Sequence, residues 1–142
     1  MIEEASVQDL EIIYQLICEL EQKTINKDRF VDVYLKAINH QDIYYYVYKY
    51  QQKVVGFTSL YIHHYLHHDH DTGEIVELIV LPQFRNLKIG YELIQYVEHQ
   101  AQSLGLEEIE LSTSTYRKKA HHFYEVNGYQ MNHYNYTKKL II

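Results

Sequence analysis

The 142-residue sequence contains few of the residues that cross-link or kink a chain: one cysteine, one proline and five glycines. It also contains no tryptophan. Because Cys18 has no second cysteine to pair with, a disulfide framework is excluded, which fits a reducing, cytoplasmic compartment. Residues 1–4 lack the basic and apolar start of a signal peptide. No apolar run approaches the ~20 residues that span a bilayer. We therefore expect a cytoplasmic protein without a membrane partner.

Positive charge is also scarce. The chain has 13 Lys and Arg against 19 Asp and Glu, which gives a formal net charge of −6 when the ten His are counted as neutral. An acidic surface repels phosphate backbones, so nucleic acid is not an expected partner. The hydrophobic fraction of 46% is ordinary for a globular core. At this length we expect one domain over residues 1–142.

The spacing of apolar residues predicts an α/β (α+β) fold, a single-layer mixed β-sheet flanked by helices. Ser6 and Asp9 resemble a capping box before the first helix, and Asp28 is the predicted N-cap of the second. A His-rich loop is predicted over residues 63–70. The predicted helices begin at residue 10, span 29–38, run from 88 to a stop at Gly105, and span 117–126. The predicted strands span residues 43–50, 54–62, 75–81, 108–113 and 129–140.

The segment over residues 77–90 is a predicted buried strand that runs through a short loop directly into a helix. Backbone N–H groups at a helix N-terminus lack intrahelical partners, and the helix dipole adds partial positive charge there. Arg85 and Lys88 would add full charges, and Gly90 would let the backbone approach a ligand closely. The segment therefore predicts a pyrophosphate site. An ordinary strand-to-helix turn is the alternative.

Two motifs carry a family resemblance. Residues 85–90 resemble the acetyl-coenzyme A signature of GNAT N-acetyltransferases, Arg/Gln-x-x-Gly-x-Gly/Ala, with Lys88 where the first glycine usually stands. Residues 120–129 resemble the second signature, Ala-x-x-Phe-Tyr-x-x-x-Gly-Phe/Tyr. The resemblance covers essentially the whole chain and implies the GNAT fold, acetyl-CoA as cosubstrate and a small-molecule amine as acceptor. The cofactor-binding residues that it implies are Leu78, Ile79, Val80, Arg85, Asn86, Leu87, Lys88, Ile89, Gly90 and Ser114.

The resemblance also implies catalytic roles. Tyr124 matches the acid that protonates the departing thiolate, since a phenol with a pKa of ~10 is neutral at pH 7. Glu77 matches a general base, with Glu74 as the fallback on the same strand. The backbone N–H of Ile79 or Val80 would stabilise the oxyanion. The alternatives are a packing role for Tyr124 and a strand-pairing role for the Glu77 carboxylate.

A closer resemblance is to the aminoalkylphosphonate N-acetyltransferases, a group associated with divalent metal ions. It implies that Arg117 binds a phosphonate, although a solvated helix start would also explain this residue. Ser114 departs from the pattern, which has Asn there, and residues 69–71 are more polar. If the His-rich stretch binds a metal, His67 or His68 with Glu77 is the predicted ligand set, and a solvated loop is the alternative. The closer resemblance rests on residues 16–20, 66–68, 73–75, 77–78, 111–113, 120–121 and 128–129.

The sequence leaves several functions open. The resemblance implies a small primary amine as acceptor, with an aminoalkylphosphonate as the favoured candidate. Another amine, such as a polyamine, an amino sugar or a peptide, is the alternative. A catalytically silent CoA-binding regulatory module is the rival from another class, and Lys88 and the His-rich stretch motivate it. Whether the chain forms a homodimer is also open.

Overall fold

The computed structural model of the chain describes residues 1–141 and confirms the predicted α/β class with a mixed sheet. The strands are β1 Ile2–Glu4, β2 Ile43–Tyr50, β3 Lys53–His63, β4 Thr72–Ile75, β5 Leu78–Val80 and β6 Ile109–Leu111. The helices are α1 Leu10–Glu21, α2 Lys27–Ala37, α3 Ile89–Ser103 and α4 Lys118–Val126. Residues 1–111 form one compact unit, which contains the sheet and α1 to α3, and the chain from residue 112 onward forms a second, which contains α4.

The sheet has the order β1-β2-β3-β4-β6, with β5 paired to β3. All pairs are antiparallel except β4 with β6, which run parallel. The long strand β3 pairs with two short strands along one of its sides. Its residues 61–63 pair with β4 and its residues 56–58 pair with β5. Among residues 1–141, β6 pairs only with β4, so β5 keeps one edge without a strand partner from this part of the chain.

The predicted single strand over residues 75–81 is wrong in one respect, because the structure divides it in two. The first part begins earlier than predicted, at Thr72, just after the predicted loop over residues 63–70, and ends at Ile75. Val76 and Glu77 interrupt the ladder before β5 begins at Leu78. The interruption has a physical cause: the Glu77 N–H donates to the Ser59 hydroxyl oxygen at 3.0 Å, a side-chain acceptor that replaces a strand carbonyl.

Three further expectations need correction. Helix α2 begins at Lys27 and is capped by Asn26, whose Oδ1 accepts from the Arg29 N–H at 2.9 Å, so Asp28 is not the cap. The short edge strand β1 was not predicted, since three residues show no period. Residues 129–141 contain no strand, although their alternating pattern is typical of one, and a strand requires a partner that this segment does not have within the described chain.

Two apolar clusters cover the sheet of the first unit. The cluster between the sheet and α1 and α2 contains Ile13, Leu16, Tyr34, Val47, Phe57 and Ile79. The cluster toward α3 contains Val55, Val80, Ile89 and Leu93. None of the helices formed by residues 1–141 is long and apolar enough to cross a membrane.

Candidate active site

The predicted phosphate-binding segment forms an exposed loop that ends at the start of α3. After β5, a single 3-10 turn over Pro82–Phe84 leads into residues 85–88, all exposed, and α3 begins at the buried Ile89. The Glu92 N–H is bonded to the Lys88 carbonyl at 3.0 Å. The N–H groups of the preceding turn, from Ile89 to Tyr91, are therefore those that a helix leaves for an external acceptor. A 15-residue helix adds the positive end of its dipole at this point.

Lys88 has the backbone conformation that explains why related sequences place glycine there. It is the N-cap of α3 and has φ +63° and ψ +20°, in the left-handed region. A side chain in this region brings Cβ close to the backbone, at a cost of about 1–2 kcal/mol, which glycine avoids. A lysine at this position therefore adds backbone strain that a glycine would not have. Asn86, with φ +73°, is a residue type that tolerates this region better.

The Arg85 side chain folds back toward the sheet. Its Nε donates a hydrogen bond to the Val80 carbonyl at 3.0 Å, which connects the loop to the end of β5. Because Nε is engaged in this way, an anion at the loop would interact with the Nη groups. Arg85 therefore has a structural contact as well as a charge.

The open edge of β5 presents the amide of Val80. The Leu81 N–H donates to Val55 O at 2.9 Å and the Ser59 N–H donates to Glu77 O at 3.1 Å. Hydrogen-bonded and non-bonded pairs alternate along an antiparallel ladder, so Ile79 is bonded to β3 whereas Val80 points its N–H and C=O away from β3. The bond from Arg85 to the Val80 carbonyl agrees with this direction. Of the two predicted oxyanion donors, the geometry favours Val80.

Glu77 is fixed by the two polar residues opposite it on β3. The Ser59 Oγ donates to Glu77 Oε1 at 2.5 Å and accepts from the Glu77 N–H at 3.0 Å. The Thr58 Oγ1 donates to the Glu77 carbonyl at 2.9 Å. Ser59 and Thr58 are both fully buried. The carboxylate is thus held by a buried hydroxyl on the sheet face that α1 and α2 cover.

The surroundings of Glu77 make it a stronger base than an ordinary glutamate. Burial raises the pKa of its carboxyl, the Ser59 hydrogen bond lowers it in part, and the negative charges of Glu21 and Glu74 raise it further. Tyr61, on the same face, has a pKa raised by burial and by the charges of Glu77 and Glu74. Its hydroxyl lies 3.2 Å from that of Tyr45. A base with a raised pKa accepts a proton more readily near neutral pH.

The second unit contains three of the predicted site residues. The exposed Ser114 precedes α4, and its carbonyl accepts a hydrogen bond from the Arg117 N–H at 3.0 Å. The Arg117 guanidinium lies 5.8 Å from the centre of the Tyr116 ring. Tyr124 lies on α4, edge-on to the rings of Phe123 and Tyr129. Burial raises the pKa of Tyr124 and the Arg117 charge lowers it in part, so the phenol keeps its proton at neutral pH.

The predicted metal ligands His67 and His68 have other contacts. The His67 ring lies against that of Tyr65 at 5.4 Å, and His68 Nδ1 lies 2.7 Å from Glu107 Oε2. The bond to Glu107 raises the pKa of His68 and lowers that of Glu107, as expected of an ion pair. That His67 or His68 binds a metal together with Glu77 stays a prediction.

A second group of residues that could bind a metal was not predicted from the sequence. Within residues 1–141, His63, Glu74 and Glu110 are the one set of three or more His, Cys, Asp or Glu whose ligand atoms all lie within 4.8 Å of one another. Ser59 was missed in the same way. Ser59 and His63 could have been found from β3 itself, because positions 59, 61 and 63 share one face of the strand and all three side chains can form hydrogen bonds.

Comparison with known proteins decides the family. A sequence model of the Acetyltransferase (GNAT) family matches residues 10–129. The chain belongs to this family. It is also 38% identical over 136 residues to a protein named aminoalkylphosphonate N-acetyltransferase from Salmonella typhimurium, covering 96% of this chain and 88% of the relative.

Solved structures agree on the GNAT fold. A protein named as a transcriptional regulator from Bacillus halodurans C-125 superposes with a TM-score of 0.91 at 20% identity, over 99% of each chain. An aminoglycoside acetyltransferase from an uncultured soil metagenomic sample superposes with a TM-score of 0.80 at 23% identity, over 98% of this chain and 96% of the other. At these identities the likeness concerns the fold alone.

Family membership confirms the predicted activity. The chain is an N-acetyltransferase, which transfers an acetyl group to an amine and uses acetyl-CoA as cosubstrate. The roles of the individual site residues remain predictions.

Replacing Lys88 tests the strained turn. We expect Lys88→Gly to be more stable than Lys88→Ala by about 1 kcal/mol, because only glycine relieves the left-handed backbone. Both variants lose the same charge, so they should lose acetyl-CoA affinity equally. Denaturant unfolding and titration calorimetry measure the two quantities. At Lys36, in the last turn of α2, the order should reverse, with Gly about 1 kcal/mol less stable than Ala. Equal stabilities of the two Lys88 variants would contradict the assigned conformation.

Proposed function

We propose that the enzyme acetylates a small primary amine that carries a phosphonate group, with Glu77 as general base. The observation that carries the proposal is the Glu77 carboxylate, which is partly buried and bonded to Ser59 immediately before the open edge of β5. The phosphonate is suggested by the 38% identical relative, whose name states that acceptor class.

Glu77 would act on the acceptor amine. An alkylammonium ion must lose a proton before its nitrogen can attack the thioester carbonyl, and a carboxylate with a raised pKa can take that proton directly or through one water. The attack forms the C–N bond and places negative charge on the carbonyl oxygen. The Val80 N–H, directed away from β3, is the donor that would stabilise this charge.

Tyr124 would complete the reaction as the acid. When the tetrahedral intermediate collapses, the C–S bond breaks and the thiolate of CoA needs a proton. A phenol that is neutral at pH 7 can supply it, and the raised pKa of Tyr124 keeps it in the neutral form.

The remaining cofactor contacts follow from the first unit. The CoA pyrophosphate would bind at the N-terminal turn of α3, with the charges of Arg85 and Lys88 beside it. The amides of the pantetheine arm would pair with the open edge of β5, where Leu78 and Val80 have backbone groups directed away from β3. Ser114 stays a predicted cofactor contact.

An acidic protein needs a local cation to bind a phosphonate. The phosphonate oxygens are strongly hydrated, so binding them requires charged replacement hydrogen bonds. Arg117 is the candidate, since a guanidinium can make two parallel bonds to such a group. A bound divalent cation would serve the same purpose.

Two alternatives stand beside this proposal. Another small amine, such as a polyamine or an amino sugar, would make the phosphonate irrelevant. A CoA-binding regulatory module without turnover would use the same loop at Arg85 to Gly90. Release of free thiol from acetyl-CoA over a panel of amines separates both from the proposal.

The pH dependence tests Glu77. A base works only when ionised, so kcat/KM should fall as pH drops through a pKa that burial has raised above the usual range of Glu. Ser59→Ala removes the bond that favours the ionised form, so this fall should move to higher pH. Glu77→Gln should lower kcat by about 10²-fold or more. Glu4→Gln, on the exposed side of β1, is the control and should change neither quantity. An unshifted profile in Ser59→Ala would argue against Glu77 as the base.

Removing the Tyr124 hydroxyl tests the acid. Tyr124→Phe keeps the ring, so the fold should persist while kcat drops roughly 10²-fold with little change in the KM for acetyl-CoA. Tyr129→Phe, which removes a hydroxyl from the neighbouring ring, is the matched control. A wild-type rate in Tyr124→Phe would assign this residue to packing alone.

The acceptor class is tested with matched pairs. We expect kcat/KM for aminomethylphosphonate to exceed that for glycine, and 1-aminoethylphosphonate to exceed alanine. Arg117→Gln should lower the phosphonate-to-carboxylate ratio at least tenfold, equivalent to about 1.4 kcal/mol, because a bidentate partner is lost. Lys118→Gln, at the exposed start of α4, should leave the ratio unchanged. A ratio near one in the wild type would remove the phosphonate from the proposal.

A further inference from the structure

We propose that His63, Glu74 and Glu110 form a binding site for one divalent transition-metal ion. This site is distinct from the predicted set of His67 or His68 with Glu77. It also stands whether or not the acceptor is a phosphonate, since it is argued from the sheet alone.

The three residues come from three adjacent strands and share one face of the sheet. Glu74 on β4 lies directly opposite Glu110 on β6 and directly opposite Tyr61 on β3. His63 follows Tyr61 by two residues, so its side chain is on the same face. Strands that are paired in register hold their side chains more firmly than loops do, which suits a metal site.

The distances fit a first coordination shell. His63 Nε2 lies 2.8 Å from Glu74 Oε1, and the ligand atoms of all three residues lie within 4.8 Å of one another. Ligands bound to a transition metal at about 2.0–2.2 Å are separated from one another by roughly 3–4 Å. Small side-chain rotations would therefore be enough to admit the ion. The Tyr65 ring stacks against the His63 ring at 5.1 Å and limits its rotation.

The site contains two carboxylates whose negative charges a cation would neutralise. Glu74 and Glu110 are like charges placed directly across a strand pair, which is a destabilising arrangement. Among the described residues, the one ion pair that either carboxylate makes within 4.0 Å is that of Glu74 with His63. A divalent ion would neutralise both carboxylates with a neutral imidazole as the third ligand.

A buried hydroxyl gives independent support. Thr72 is only 2% exposed, and its Oγ1 is buried without any hydrogen-bond partner in the described structure. It lies directly opposite His63 on the neighbouring strand and two residues before Glu74, on the same face. Buried polar atoms are rarely left unpaired. A water molecule that completes the coordination of the metal would supply the missing partner.

The donor set selects the class of metal. One imidazole with two carboxylates suits Mn²⁺, Co²⁺, Ni²⁺ or Zn²⁺, whereas Ca²⁺ and Mg²⁺ prefer oxygen ligands alone. The site is on the face that also carries Glu77, because the Glu77 carboxylate accepts a hydrogen bond from Ser59 Oγ, and Ser59 shares its face of β3 with His63. A metal there would add positive charge to the face of the sheet that holds the candidate base.

Another histidine provides a matched control. His64 is exposed, and its two ring nitrogens lie 2.8 Å from Asp71 Oδ1 and 3.0 Å from Asp42 Oδ2. It is close to two carboxylates, yet it does not belong to the group whose ligand atoms converge within 4.8 Å.

Metal binding to the full chain, without an affinity tag and after treatment with chelator, tests the proposal. Titration with Co²⁺ should show one site per chain by calorimetry and ligand-field absorption in the visible spectrum. His63→Gln and Glu110→Gln should each weaken binding at least tenfold, whereas His64→Gln should bind as the wild type does. Glu110 is exposed, so its isosteric variant should fold, which circular dichroism checks. The proposal would be overturned by a wild type that binds no Co²⁺, by unchanged affinity in both site variants, or by loss of binding in the His64→Gln control.

Thr72→Val tests the bound water separately. The variant keeps the shape of the side chain and removes the orphaned hydroxyl. We expect the metal-free protein to become more stable, because an unpaired buried group is lost, and Co²⁺ affinity to fall about tenfold, because the water loses its partner. Unchanged affinity would overturn the role assigned to Thr72.

Discussion

The hydrogen bonds between Glu77 and residues 58–59 are the contacts on which the candidate site depends. At the point where the chain leaves β4, these bonds satisfy the Glu77 N–H, its carbonyl and its carboxylate together. A backbone group left unpaired in a buried position would carry a substantial penalty. The strand can therefore be interrupted without that penalty. The interruption in turn leaves one edge of β5 open and holds the carboxylate next to it.

The register of the sheet explains why the polar and titratable side chains of the candidate site lie on one face of the sheet. Side chains alternate along each strand, so the face that packs Phe57 and Ile79 against α1 also carries Ser59, Tyr61 and His63 further along β3. The apolar residues of this face stabilise the fold, and the polar residues follow them along β3 on the same face. Burial by the apolar residues raises the pKa of groups on this face, as for Glu77 and Tyr61. The alternation of side chains along β3 therefore contributes both to the apolar packing that stabilises the fold and to the raised pKa values of Glu77 and Tyr61.

Local signals in the sequence predicted the parts of the site that depend on local structure. The turn over residues 85–90 needs only a strand, a loop and a helix start, and all three are readable from neighbouring residues. The division of residues 75–81 was missed because an apolar run looks the same whether or not it is interrupted, and the cause lies some 18 residues away at Ser59. The unpaired segment after residue 129 was missed for a similar reason. A period of two indicates a strand but says nothing about its partner.

Lys88 adds an argument for an anionic ligand that does not depend on the family. Its left-handed backbone is strained, and its positive charge stands at the N-terminus of α3, where the helix dipole is already positive. Without a ligand, both effects destabilise the turn. A bound pyrophosphate reverses the sign of the second, because the lysine and the helix N-terminus then act on the same negative charge. The residue is unfavourable for the fold alone and favourable for the fold with a phosphate, which is the balance expected when binding maintains a strained residue.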